Sequence, residues 1–194
     1  MNHMATVILL HSALGLTSQV RDWAESLETE GHTVHTPDLF AGRTFTDVDS
    51  AVDFADGEGG AAAFVPAVLA ARNQVRGPVV LAGFSLGAAV AQLVAMKEER
   101  VRALVLMHSV LAPAWLEVDS WPERLSAQAH FSEGDEWVEA DEVAALVEFA
   151  GDALEVFTYP GDGHLFAFDG WHEYDEESSH RMYERVSDFL GSLD

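Results

Sequence analysis

The sequence contains no cysteine. That excludes disulfides, thiolate metal sites and a cysteine nucleophile. Positive charge is scarce: 10 Lys and Arg stand against 33 Asp and Glu, for a formal net charge of −23. A surface this acidic repels phosphate backbones and anionic lipid, so nucleic acid and membranes are not expected partners. No apolar run approaches a membrane span, since Val7 to Leu10 is far too short, and the N-terminus lacks the basic start of a signal peptide. The expected location is therefore cytoplasmic. There is no internal repeat, linker or low-complexity tract. What is present is 194 residues, of which 48% are hydrophobic, enough for a single domain over residues 1–194 with a substantial core.

Apolar runs alternate with amphipathic stretches along the chain. Residues 6–10, 32–36, 78–82, 101–107, 127–131 and 154–158 read as strands. Between them, Val20, Trp23, Ala24 and Leu27 form a helical stripe capped by Thr17 or Ser18 and ended by Gly31. Residues 61–76 form an alanine-rich helix, and Val143, Leu146, Val147 and Ala150 mark another, with Asp141 as its cap. A closing helix over 176–190 turns Met182, Val186, Phe189 and Leu190 inward. Residues 41–60 crowd Asp47, Asp49, Asp53, Asp56 and Glu58 into a partly helical surface excursion that borders the site. Residues 110–125, with Pro113, Trp115, Trp121 and Pro122, read as a loop over the sheet's end, where Trp115 and Trp121 form an apolar patch. Strand–helix alternation predicts an α/β fold: a mostly parallel central sheet of about six strands with helices on both faces. In such sheets the ligand site lies at the carboxyl ends of the strands.

Gly83-Phe84-Ser85-Leu86-Gly87 stands at one of those ends, between an apolar strand and a small-residue helix. A serine at the apex of a strand–turn–helix bend is a nucleophile elbow. The bend strains the serine backbone and crowds its neighbours, hence the flanking glycines. The plainer alternative is a serine that only caps the helix. A hydroxyl nucleophile needs a base, and histidine, with a reference pKa of about 6.5, is the usual one. A carboxylate then holds the imidazole in its working tautomer. Ser85, Asp135 and His164 occur in the order nucleophile, acid, base, each on a loop after its own strand.

The rivals to His164 fit less well. His3, His172 and His180 sit in a terminus, a loop and a polar helix. His32 and His35 flank a strand at the wrong place in the order, His130 lies within a strand, and His11 and His108 read as pocket walls. Among the carboxylates Asp162 is in the loop of His164 but too near it in sequence to reach its far side. For the developing oxyanion, Leu86 N–H and Ala13 N–H are the candidate donors. Candidate walls of the substrate pocket are Ser12, Leu14, Phe40, His108, Trp115, Trp137 and Phe166. No metal-ligand spacing stands out, and no cofactor is expected.

These residues resemble the dienelactone hydrolase family over most of the chain. The likeness rests on His11-Ser12-Ala13-Leu14-Gly15-Leu16, on Arg21-Asp22 and on Thr36-Pro37-Asp38-Leu39-Phe40. It continues through the elbow and His130-Phe131-Ser132-Glu133-Gly134-Asp135 to Tyr159-Pro160-Gly161-Asp162-Gly163-His164-Leu165-Phe166. The resemblance implies an α/β-hydrolase fold with Ser85, Asp135 and His164 as the hydrolytic triad. It also implies oxyanion donors at Leu86 and Ala13. Three positions depart from the family pattern. Serine replaces the type enzyme's cysteine. Ser12 stands where a glutamate helps to activate that thiol, and Phe168 stands where an arginine grips the substrate carboxylate. The expected function is therefore hydrolysis of a small neutral ester or lactone through an acyl-serine. A thioesterase or amidase would use the same groups, and a non-catalytic binding or sensor protein would keep the fold and lose the reactivity.

Overall fold

Val79–Phe84 is buried at every position, as a strand covered on both faces must be. It forms the third strand, β3, of a six-stranded sheet in the computed structural model, which describes residues 4–193. The other strands are β1 (Thr6–Leu10), β2 (Thr33–His35), β4 (Val101–Met107), β5 (Ser126–Ser132) and β6 (Leu154–Tyr159). Their order is β2-β1-β3-β4-β5-β6, and every pairing is parallel. This is the expected α/β-hydrolase-type sheet. The order reverses direction between β1 and β3, and the loops leaving those strands open a crevice there.

The helices are α1 (Ser18–Thr29), α2 (Val48–Glu58), α3 (Ala61–Gln74), α4 (Leu86–Ala95), α5 (Ala140–Ala150) and α6 (Glu176–Ser192). The four-residue stripe read for α1 is its buried face, with Val20, Trp23, Ala24 and Leu27 under 9% exposed. Burying Trp23 and Leu27 stabilises the helix by about 1.5–3 kcal/mol each. Thr17 stands at the N-cap but makes no side-chain cap bond. α4 packs between β3, β4 and β1, and Ala88, Ala89 and Ala91 allow the close approach.

Two apolar layers result. One faces α3, α4 and α5, with Leu81, Val90, Leu104 and Leu146 in it. The other faces α1 and α6, with Leu9, Trp23, Phe84, Met182 and Leu190. Between α3 and β3, the fully buried Arg72 closes the helix end by donating to the carbonyls of Val75 and Gly77.

Some local expectations are corrected. Helix α5 starts one residue before Asp141, which lies in its first turn, and Val147 is 40% exposed because the inward face is carried by Leu146 and Ala150. Trp121 is buried, its indole N–H donating to the Leu125 carbonyl and its ring set edge-on to Phe149, so Trp115 alone is left exposed. His3 lies outside the described residues. Among the described residues, no helix is long and apolar enough to cross a membrane.

Candidate active site

Ser85 follows β3 directly, with φ 51° and ψ −114°, a region that residues with a Cβ rarely occupy. The glycines on either side make the bend possible by their lack of a side chain. A Cβ on Gly83 would stand 2.3 Å from the Gly87 backbone, and one on Gly87 would stand 2.5 Å from the carbonyl oxygens of Leu10 and His11. The Ser85 N–H donates to the Met107 carbonyl at 2.7 Å, which ties the elbow to the end of β4. Leu86 opens α4, so its N–H is one of the first-turn donors that have no partner within the helix.

The Ser85 hydroxyl lies 2.8 Å from His164 Nε2. On the far side of the ring, His164 Nδ1 lies 2.9 and 3.0 Å from the two carboxylate oxygens of Asp135. The consistent assignment has Nδ1–H donating to Asp135 and Nε2 accepting from the serine hydroxyl. Both side chains are withdrawn from water, with Asp135 fully covered and His164 6% exposed.

Their two loops are tied to each other. Gly134 N–H donates to the Gly161 carbonyl and Glu133 N–H to that of Tyr159. The Ser132 hydroxyl donates to the Gly163 carbonyl at 2.7 Å. Trp137 N–H donates to Asp135 Oδ1, and its half-exposed indole lies 5.6 Å from the His164 ring. Glu173 holds the His164 loop from below, accepting from Leu165 N–H and from the Trp171 indole. Burial works to raise the Glu173 pKa, yet the bonds from Trp171, Leu165 and the His164 backbone together hold it below the ordinary carboxylate value.

The loop after β1 is a tight turn. The Ser12 carbonyl accepts from Gly15 N–H and from His11 Nδ1–H, and the Ser12 hydroxyl accepts from Leu14 N–H. Ala13 sits at its crest. His11 is buried, and its other ring nitrogen accepts from Leu39 N–H, so it joins two loops and does not face the cleft. Burial lowers its pKa, against the raising effects of the Ser12 bond and Asp38.

The cleft over Ser85 is lined by Ser12, Ala13, Leu14, Val48, Val52, Trp137, His164 and Leu165, and its volume is about 20 Å³. Of the expected walls, Ser12, Leu14 and Trp137 are there, and five others, His11 among them, lie elsewhere. Phe40 is buried in an aromatic cluster with His11, Phe45, Phe54 and Phe64. Phe166 is buried against His108 and Tyr159. Trp115 lines a separate groove with Val65, Leu93 and Leu111.

His108, in the left-handed region at φ 66°, lies behind the site between Phe84 and Phe166, its ring 6.1 Å from that of His164. Neither of its ring nitrogens has a partner among the described residues. Burial first, then the neighbouring His164 and His130, push its pKa well below the usual histidine value. His130 is packed within β5 as the sequence implied, bonded to Tyr159 and Gln128, with a pKa lowered to about 3 chiefly by burial.

The residues sequence reasoning missed are Val48, Val52 and Leu165. The two valines are four apart in the acidic excursion, the spacing of a helical stripe, and that was their only signal.

No Lys or Arg side chain lines the cleft. Phe168 is buried edge-on against Phe84, and the Arg43 guanidinium lies over the Phe54 ring. Among the described residues, no group of three or more His, Asp or Glu is arranged to hold a metal ion.

A family model for the dienelactone hydrolase family matches residues 2–193. Solved structures share the fold. A Klebsiella pneumoniae protein with a provisional dienelactone hydrolase assignment superposes with a TM-score of 0.79 at 18% identity, over 98% of this chain and 88% of its own. A dienelactone hydrolase-like promiscuous phosphotriesterase from metagenomic libraries gives 0.79 at 20% identity, over 100% and 88%. A cold-adapted esterase from an Arctic intertidal metagenomic library gives 0.67 at 15% identity, over 97% and 82%. No protein with a curated description matches the sequence.

Proposed function

This chain belongs to the dienelactone hydrolase family, and from that premise we propose that it is a serine hydrolase acting on small neutral carboxylic esters. One observation carries the reading: an unbroken hydrogen-bonded line from Ser85 Oγ through His164 to Asp135, in a water-poor setting. In the first step Ser85 Oγ attacks the ester carbonyl carbon while its proton passes to His164 Nε2. Asp135 stabilises the imidazolium through Nδ1–H. The carbonyl oxygen, now anionic, accepts from Leu86 and Ala13 N–H, donors already fixed by the start of α4 and the 12–15 turn. The tetrahedral centre collapses, the C–O bond to the alcohol breaks, and the alcohol leaves with the proton from His164. Water, deprotonated by the same imidazole, then splits the acyl-serine and restores the hydroxyl.

The absence of a cation at the cleft and the chain's charge of −23 favour an uncharged substrate over a carboxylate-bearing lactone. A fluorophosphonate probe tests the reading. It should label Ser85 in the wild type and fail to label Ser85→Ala, which should retain its fold and lose ester turnover. Equal turnover in Ser85→Ala, or a serine inert to the probe, sinks it in favour of a binding protein.

A further inference from the structure

The cleft above Ser85 has room for about one water molecule, or a methyl group of similar size. Its ceiling comes from outside the sheet. Val48 and Val52 sit one helical turn apart on the same face of α2, half-buried, and both line the cleft. The helix that carries them is firmly held. Asp47 caps it by accepting from Ser50 N–H, Ala51 and Ala55 are buried beneath it, and Phe45 N–H donates to the Leu14 carbonyl at its entry.

The geometry of the proposed reaction divides the cleft. The leaving oxygen must come within reach of His164 Nε2, so the alcohol portion passes the His164 and Trp137 side. The acyl portion is left to face Leu14 and the two valines.

We propose that Val48 and Val52 set the acyl-chain preference, so that short acyl groups are favoured over longer ones. The proposal rests on the ester-hydrolase reading and adds the substrate range. A single methylene in an apolar pocket changes kcat/KM by roughly 10- to 200-fold. In the wild type, kcat/KM for p-nitrophenyl esters should therefore fall at least about tenfold between propionyl and hexanoyl. Val52→Ala should raise the hexanoyl-to-acetyl ratio by about tenfold or more, and Val52→Ile should lower it. Acetate esters of ethanol, butanol and hexanol should keep their relative rates in both variants.

An unchanged acyl ratio in folded Val52→Ala overturns the proposal, as does a shift in the alcohol series in its place. Should Val52→Ala lose its thermal transition, Val48→Ala carries the same expected result. A wild type that turns over none of these esters and leaves Ser85 unlabelled by a fluorophosphonate removes the hydrolase reading and this proposal with it. Labelling of Ser85 together with a flat acyl series removes the proposal alone.

Discussion

The floor and the rim of the cleft are built on different principles. The floor is backbone against backbone: Gly83 on Gly87, Gly87 on the carbonyls of Leu10 and His11, and the acid and base loops laced by main-chain bonds. The rim is side chains on a surface helix, with Val48 and Val52 touching the cleft and aspartates facing outward. A floor of this kind admits almost no substitution, because peptide units press directly on one another and cannot repack around an added methyl. The rim can change a methyl group without disturbing the reacting atoms. On the proposed reading, chemistry is fixed below and selectivity is adjusted above.

The largest effect should come from a floor residue whose replacement leaves shape intact. Asp135→Asn keeps the volume but offers His164 the wrong partner for Nδ1–H, so kcat should fall by about 10⁴-fold with fluorophosphonate labelling slowed in parallel. A loss under tenfold would mean that Asp135 does not orient the base. Next is Gly87→Ala. The new methyl meets two carbonyl oxygens, so Ser85 must shift, and turnover should fall by about 10²-fold with a lowered Tm. Full activity in that variant would break the contrast between floor and rim. Glu173→Ala loosens the His164 loop and should reduce kcat by roughly tenfold while KM holds, with Glu173→Gln restoring most of the loss because the acceptor oxygen is kept.

The last test concerns stability rather than rate. His130 is held neutral to about pH 3, and His11 and His108 are also lowered. Below about pH 6.5 these side chains bind protons in the unfolded chain and not in the folded one, so stability falls as pH falls. Each contributes a slope of up to about 1.4 kcal/mol per pH unit down to its folded pKa. Tm measured from pH 7 to pH 4.5 should therefore decline from about pH 6.5 in the wild type, and a flat profile to pH 5 would contradict the neutral packing of these rings.

Sequence reasoning served the floor well and the rim poorly, for the same physical reason. Backbone close approach demands glycine, and a covered parallel strand demands an apolar run, so β3, the elbow and the order of loops were all legible in the chain itself. The rim leaves no such mark. Apolar character announces burial, yet it does not say against what: Phe40 and Phe166, expected as cleft walls, are buried against other rings. Trp115 reads the same way in the sequence and stands exposed over a different groove. His108 follows its strand as a cleft residue would, but its left-handed backbone lies behind the site, with its ring between Phe84 and Phe166. The α5 boundary shifted by one residue, within the ordinary fraying of helix ends.

Gly15 has its Cα against the main chain of Arg43, so close that a Cβ there would fall 2.2 Å from the Arg43 carbonyl oxygen, and Phe45 is bonded to Leu14 just beside it. The stretch that displays Ala13 and the stretch that leads into α2 are thereby one mechanical piece. A chimera that imports residues 41–60 from a relative must bring residues 13–16 in the same cassette. Exchanged singly, either half would arrive with a seam that does not close.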